Sequence, residues 1–472
     1  MTSVQFARYS PAQHFHRQFV TTHLFIGKHP PVSGQQFTRL FSVALYLLLS
    51  GCVTPTRNVP VQKQESPSAS ATAPTPLAPR PVKAQAEQPK VAELLGKVNF
   101  VVAGDIMAHT AVLKAATAQG GFESLYAPVK NIVSSADLAF GNLETPIAPK
   151  VNHGSREFVF NAPPEMLAAV KNTGFGVVLF ANNHVYDQDR DGFVESLNEL
   201  DKSGLKYLGA GRTLAEAQAP LRLEVHGVKL AWFGAAQFFN DPKNVTDPKE
   251  PAANLLDAAA MSAAIAAVRP EVDAVLVSLH WGVEYQPAPR QSDIDIAHQL
   301  FEAGADVIIG SHPHILQPIE VYQAQDGRTC LCLYSLGNFI SNQSRLYLPH
   351  ASADKVGDTR DGVLVRFTLE KRDYGKAGTA VNLANVSYVP LWTDNNFFRT
   401  KDELINIHPV VVDLELARVR DEITQVETEI GANKPTKAQT KALIALKQRA
   451  DLLMLRRTRI LSRLGEDFSG DP

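Results

Sequence analysis

Cysteine is scarce in this sequence: Cys52, Cys330 and Cys332 are the three among 472 residues. So few thiols argue against a disulfide scaffold. The last two sit together in RTCLCLYSLGNF, and no bridge between them is expected. An excess of charge of either sign is also missing, since 46 Lys and Arg stand against 48 Asp and Glu. There is neither a whole-chain basic footprint for nucleic acid nor an acidic tail. The apolar run from Leu40 to Leu49 falls short of the roughly 20 residues a spanning helix needs. What is present is a chain that is 45% hydrophobic, enough for at least one large core.

The short apolar run has Arg39 before it and Leu49-Ser50-Gly51-Cys52 after it. That order reads as a secretion signal ending in a stretch that resembles a bacterial lipoprotein box, with Cys52 as the lipidated first residue of the mature chain. The expectation is an exported lipoprotein anchored at the bacterial cell envelope, its acyl chains sufficient for stable attachment. Residues 53–93 are rich in Pro, Ala, Ser and Thr and nearly lack large apolar side chains. They cannot offset ordering entropy by burial, so a disordered tether is expected.

The region 94–375 reads as the main domain. Short Val/Ile/Leu/Phe runs recur in KVNFVVAGDIM, SSADLAFGNLE, FGVVLFANNHVYD, VDAVLVSLHWG, ADVIIGSHPH and CLCLYSLGNF. Each gives way to polar residues at its end. Helical segments such as PPEMLAAVKNT and DIDIAHQLFEAG alternate with them, which argues for a layered α/β domain. Residues 376–423 are expected to pack on that core, with the run from Val410 forming an antiparallel edge or a second sheet. Residues 424–472 should contain an amphipathic helix. Leu443, Leu446, Ala450, Leu453, Ile460 and Leu464 mark its apolar face, and Lys441, Lys447, Arg456, Arg459 and Arg463 the opposite one. Such a helix can touch an anionic surface. The simpler expectation is that it docks on the main domain with its charged face in water.

In α/β folds, ligand sites lie at the carboxyl ends of strands. Asp105 with His109, Glu144, Asn183 with His184, His280, and His312 with His314 all fall at such ends. An Asp after Gly also suits a helix cap, an Asn-Asn pair a turn, and His109 a helix surface. Their joint placement favours a divalent metal centre, because carboxylate, imidazole and amide oxygen are ligands for such ions and a shared carboxylate can bridge two of them. Two ions about 3.5 to 4 Å apart would acidify a shared water and polarise a substrate oxygen. Mn, Zn or Fe fit this donor set, and Mg is admissible. Nearby, Glu284, Tyr285, Arg156 and Arg290 suit substrate handling, the arginines by paired hydrogen bonds to an anion. Asn338 suits orienting a histidine.

The stretches VAGDIM, FGNLETPI, ANNHVYD, SLHWGVEY, GADVIIGSHPHILQPIE and YSLGNFI resemble the motif series of the bacterial capsule-synthesis CapA family, whose domain is similar to calcineurin-like metallophosphoesterases. The resemblance spans about Lys97 to Leu369. It implies a four-layer αββα sandwich and a role in poly-γ-glutamate or capsule metabolism. It implies Asp105 as a first-metal ligand, Glu144 in the bridging place, and Asn183, His280 and His312 on a second metal. His314 would return to the first metal, and His184 would be the catalytic acid or a transition-state contact. His109 matches loosely, lying four residues after Asp105 where the phosphoesterase pattern has two. The function expected is metal-dependent hydrolysis of poly-γ-glutamate, or of a related envelope polymer or peptide. A non-hydrolytic component of a capsule synthesis complex and a metallophosphoesterase are the alternatives.

Overall fold

The computed structural model describes residues 92–465 and 468, except 152, 157, 242–246, 350 and 398–403. Cys52 and the expected tether before residue 92 lie outside the described residues. The first half runs β1 (Glu93–Met107), α1 (Thr110–Ala118), α2 (Phe122–Tyr126), α3 (Lys130–Val133), β2 (Leu138–Glu144), α4 (Glu165–Thr173), β3 (Phe175–Leu179), α5 (Asp189–Ser203) and β4 (Lys206–Leu208). After the short β5 (Ala210–Gly211) and α6 (Leu214–Gln218) come β6 (Leu221–Val225), β7 (Val228–Ala236), β8 (Ala252–Ala253), α7 (Ala258–Val268) and β9 (Ala274–His280). Then follow α8 (Gln291–Glu302), β10 (Val307–Ser311), β11 (Ile319–Gln323), β12 (Thr329–Leu333) and β13 (Asn338–Ile340). The chain ends in β14 (Asp361–Asp373), β15 (Thr379–Asn395), β16 (Ile407–Val411), α9 (Val412–Ile430) and α10 (Lys437–Leu464).

Two mixed sheets form the sandwich. The first has the order β16-β15-β14-β1-β2-β3-β4, with β13 beside β1, and the second β11-β12-β10-β9-β7-β6. Each has a parallel centre, β1-β2-β3-β4 and β12-β10-β9-β7, with antiparallel strands outside it. Such parallel strands are covered on both faces and read as continuous apolar runs. In β1, Val98, Phe100 and Val102 enter the core between the sheets, while Val101 and Ala103 face α1, α2, α4 and α5. That is the two-residue period of a strand. In β9, Val275, Val277 and Leu279 meet α7 and α8. The αββα layering follows, with each fully buried Val, Leu or Phe contributing about 1.5–3 kcal/mol.

Cys330 and Cys332 both point to the α8 side of β12, as positions i and i+2 must, and both thiols are free. The segment expected to pack on the core enters the first sheet itself, because β15 pairs with β14 along its length and β16 with β15. The run from Val410 is strand for two residues only; Val412 already begins α9.

The C-terminal helix docks as expected, but its charged face does not lie wholly in water. Leu453, Ile460 and Leu464 join the inter-sheet core, and Arg456 is buried completely. The Arg456 guanidinium donates to Asp361 and to Asp358 and sits 5.1 Å from the Trp392 ring centre. Arg459 and Arg463 also bond Asp358. The reason is a buried carboxylate pair, Asp358 in the turn before β14 and Asp361 at its first position, which requires cations and draws three arginines inward.

Candidate metal centre

Strand register assembles the polar ends. Asp105 lies opposite Asn142 on β2 and Asn338 on β13, and Glu144 lies opposite Met107. In the second sheet His280 lies opposite Ser311 and Ala236. Close backbone approach at this corner depends on Gly104 and Gly310. A Cβ on the first would stand 1.9 Å from the Gly337 carbonyl oxygen, and on the second 2.0 Å from that of Tyr334.

Asp105, Asn142, Glu144 and His280 have no exposed surface. Buried polar groups need partners, and the partners here are one another. The Asn142 amide lies 2.8 Å from Asp105 Oδ1, 3.2 Å from Glu144 Oε2 and 3.2 Å from His280 Nδ1. His280 Nε2 lies 2.8 Å from Asn183 Oδ1, whose amide nitrogen donates to Asn240. His314 Nδ1 sits between two acceptors, Asp105 Oδ2 at 2.9 Å and Asn338 Oδ1 at 3.0 Å. Asn338 is fixed in that sense because its own amide donates to the Thr359 carbonyl and to Gln343. The proton of His314 therefore resides on Nδ1 and the lone pair on Nε2, an orientation that outer partners impose on metal-binding histidines.

Glu144 Oε1 has no hydrogen-bond partner despite its burial. It faces His314 Nε2 at 3.6 Å, and His184 Nε2 and His280 Nε2 at 3.9 Å each. Those gaps are too long for hydrogen bonds. They are close to the separation of two atoms that share one ion with bonds of about 2.0–2.2 Å. Asn142 Oδ1 and His312 Nδ1 are buried and unpartnered as well. Among the described residues, Asp105, Glu144 and His314 form one group able to hold an ion, and Glu284, His312 and His314 another. The donor set fits one or more divalent cations.

Electrostatics point the same way. Burial, then the neighbouring Asp105, Glu284 and Asp187, push the Glu144 carboxyl well above its usual range. A nearby cation would remove that penalty. Burial holds His312 down at about 3 and His280 well below its ordinary value, each helped by adjacent imidazoles. Both are therefore neutral near pH 7, the form that ligates metals. His312 and His314 occupy the left-handed region at φ 99° and 57°. Strain of about 1–3 kcal/mol per residue persists where the surroundings over-determine it, typically at functional sites.

His184 completes the ring around Glu144. Its Nδ1–H donates to Asp187 at 2.7 Å, its ring lies 4.2 Å from that of Phe160, and Nε2 is turned to the cluster. Tyr285 stands beside His314, ring centres 6.2 Å apart, with Gln343 donating to its hydroxyl at 3.4 Å. Glu284, expected to handle substrate, is grouped with His312 and His314. His109 precedes α1, accepts from the Asn342 amide and packs on Phe160, while burial brings it to about 3. It belongs to neither ion-holding group.

Arg156 forms a backbone bridge with Val159 and lines a separate cavity with His153, Asp187 and Asn240. Arg290 departs from the expectation of an anion-binding fork. It donates twice to Asp293 at 2.9 and 2.7 Å and to Gln237 at 2.7 Å, capping α8. A buried carboxylate three residues on competes for the guanidinium more effectively than a distant ligand. Sequence reasoning passed over Asp187, Asn240, Ser311 and the bonding of Asn142. Asp187 had a visible signal, three residues after His184 within ANNHVYD.

Fold and cluster together define an α/β sandwich protein with a buried carboxylate–imidazole centre suited to metal ions. The family model described as bacterial capsule synthesis protein PGA_cap matches residues 99–343, and the chain belongs to this family. It is 31% identical to the PGA biosynthesis protein CapA of Bacillus subtilis (strain 168), over 66% of this chain and 78% of that one. It is 30% identical to the capsule biosynthesis protein CapA of Bacillus anthracis, over 60% and 66%. Among solved structures it is similar to the Haemophilus influenzae NAD nucleotidase, at 11% identity and a TM-score of 0.38, over 75% of this chain and 61% of that one. Likeness at that level bears on neither substrate nor chemistry.

Proposed function

We propose that this chain is a metal-dependent hydrolase that cleaves γ-glutamyl amide bonds in poly-γ-glutamate or a related anionic envelope polymer. The observation that carries the reading is the orphaned Glu144 Oε1, ringed by three imidazole nitrogens at 3.6–3.9 Å. A buried carboxylate so placed has no purpose in packing and every use for a cation. The polymer class is suggested by the name of the Bacillus subtilis relative, a PGA biosynthesis protein; that of the Bacillus anthracis relative names a capsule.

Asp105 and His314 would hold one divalent ion, and Asn183, His280 and His312 a second, with Glu144 between them. Bound ions would lower the pKa of a water and polarise the scissile carbonyl. The protein's own part is positioning and proton transfer. Asp187 holds His184 so that Nε2 faces the reacting region, where it can give a proton to the leaving nitrogen. Asn142 keeps Asp105 and Glu144 in place, and Asn338 fixes the His314 tautomer.

The full-length protein, loaded in turn with Mn, Zn and Mg, should be given poly-γ-glutamate, muropeptides and phosphodiesters. Shortened γ-linked products, identified by mass, are expected, and they should fall by about 10²–10⁴-fold in His184→Ala. Full metal occupancy with no cleavage of any substrate would refute hydrolysis; cleavage of phosphodiesters alone would reassign the bond.

For location, the reading includes an envelope lipoprotein attached through Cys52 and able to join a capsule synthesis complex. No helix among the described residues is long and apolar enough to cross a membrane. Globomycin should make the precursor accumulate. Unchanged processing would dismiss lipidation at Cys52.

A further inference from the structure

The turn after β9 and the turn after β10 are tied together at the mouth of the metal centre. The Trp281 N–H donates to the Ser311 carbonyl at 3.0 Å, and the Tyr285 N–H to that of Pro313 at 2.9 Å. Those two bonds fix Glu284 beside the pair of imidazoles that follows β10. One ligand atom from each of Glu284, His312 and His314 lies within 4.8 Å of the other two. Ligands on opposite sides of one divalent ion stand about 4.0–4.4 Å apart, so a small inward movement of the glutamate closes the set. His312 is 2% exposed, and its Nδ1 has no hydrogen-bond partner. Glu284 pairs with no lysine or arginine among the described residues. A buried imidazole nitrogen and a carboxylate left over in this way fit a cation better than they fit packing.

Exposure separates this group from the inner one. Asp105 and Glu144 have no exposed surface, whereas Glu284 is half-buried between the exposed Val283 and Tyr285. A hydrated ion arriving from solvent therefore meets Glu284 before it can meet either inner carboxylate. The two groups are near enough to feel one another, since the charge on Glu284 helps raise the Glu144 carboxyl. They also share His314, and the sharing decides how they work. Its Nδ1 carries the proton between Asp105 and Asn338, which leaves the lone pair on Nε2 for an ion. One lone pair serves one ion at a time, so the outer and inner groups cannot both be completed through it. Overlapping sites with a common ligand are suited to exchange: His314 stays while Glu284 gives way to Asp105 and Glu144.

We propose that Glu284, with His312 and His314, forms an entry site for divalent cations at the mouth of the centre, from which an ion passes inward by exchanging Glu284 for the two buried carboxylates. Glu284 is a transfer ligand that the filled centre does not need. The inference rests on the metal part of the reading above and is independent of which bond is cleaved.

Transfer of Zn from a fluorescent indicator to the metal-free full-length protein is followed by stopped flow, and its release to a chelator in the same way. A ligand used only in passage lowers the barrier equally in both directions. Glu284→Gln should therefore slow uptake and release alike, each by about 10-fold or more, and leave the number of ions held at equilibrium unchanged. An unchanged melting temperature of the metal-free variant separates a lost ligand from lost folding. Crystals of Glu144→Gln soaked in Mn supply a second reading, because there the inner group is impaired. An anomalous peak is expected among Glu284, His312 and His314, and none in Glu144→Gln/Glu284→Gln. Uptake at the parent rate in Glu284→Gln, or a soaked Glu144→Gln crystal without a peak at these three side chains, would overturn the entry site. Slower uptake with unchanged release would reduce Glu284 to a long-range attraction and overturn it as well. Loss of one ion at equilibrium would make Glu284 a permanent ligand, again against the proposal. Slower uptake and release in a protein that cleaves none of the polymers would support the entry site and sink the hydrolase reading alone.

Discussion

Glu144→Gln abolishes stable metal occupancy and lowers kcat/KM on the cleaved polymer by about 10³-fold, equivalent to about 4 kcal/mol of transition-state stabilisation. The same substitution leaves the metal-free protein folded and makes it more stable, by about 1 kcal/mol. Both effects have one cause. The Glu144 carboxyl is wholly buried beside Asp105, with Glu284 and Asp187 also raising its pKa, and Oε1 has no donor. Without a cation that arrangement is a cost, and glutamine removes the charge at nearly constant shape. Metal analysis after dialysis, steady-state kinetics and denaturant unfolding without metal measure the three consequences. A variant that loses activity because it unfolds, or one that keeps full metal, contradicts the assignment.

Arg456→Ala destabilises the fold by about 3–5 kcal/mol, the usual cost of breaking a buried ion pair from one side. Arg456 has no exposed surface and bonds Asp361, Asp358 and the Asp354 carbonyl. Asp358 retains Arg459 and Arg463, so the penalty falls on Asp361, which is left buried without its arginine. The double variant Arg456→Met/Asp361→Asn should therefore lose less than Arg456→Ala alone, since no isolated charge remains. Urea unfolding of the parent and both variants decides it. A loss under about 1 kcal/mol for Arg456→Ala would mean that α10 is ornament to the sandwich and not a brace.

The apolar runs of β1, β2, β3, β9, β10 and β12 were legible because strands buried on both faces have little freedom in composition. Their polar ends were legible for the same reason: a histidine or carboxylate closing such a run needs a partner. Long-range pairing was less visible. Nothing local in the sequence announces that YSLGNFI inserts beside β1 and presents Asn338 to His314, because that depends on the Gly104–Gly337 approach. Arg290 and Arg456 show the same limit. Periodicity places a side chain on a face, but whether an arginine meets water, ligand or a buried aspartate depends on what the rest of the chain brings opposite. In both cases an internal carboxylate, Asp293 or Asp361, claimed it.

Anomalous diffraction from crystals of the full-length protein soaked in Mn tests the central claim most directly. The expected result is density within about 2.0–2.3 Å of Glu144 Oε1, shared with Asp105 and His314 on one side and with Asn183, His280 and His312 on the other. Crystals with the same side-chain arrangement and no anomalous peak among these residues would contradict it.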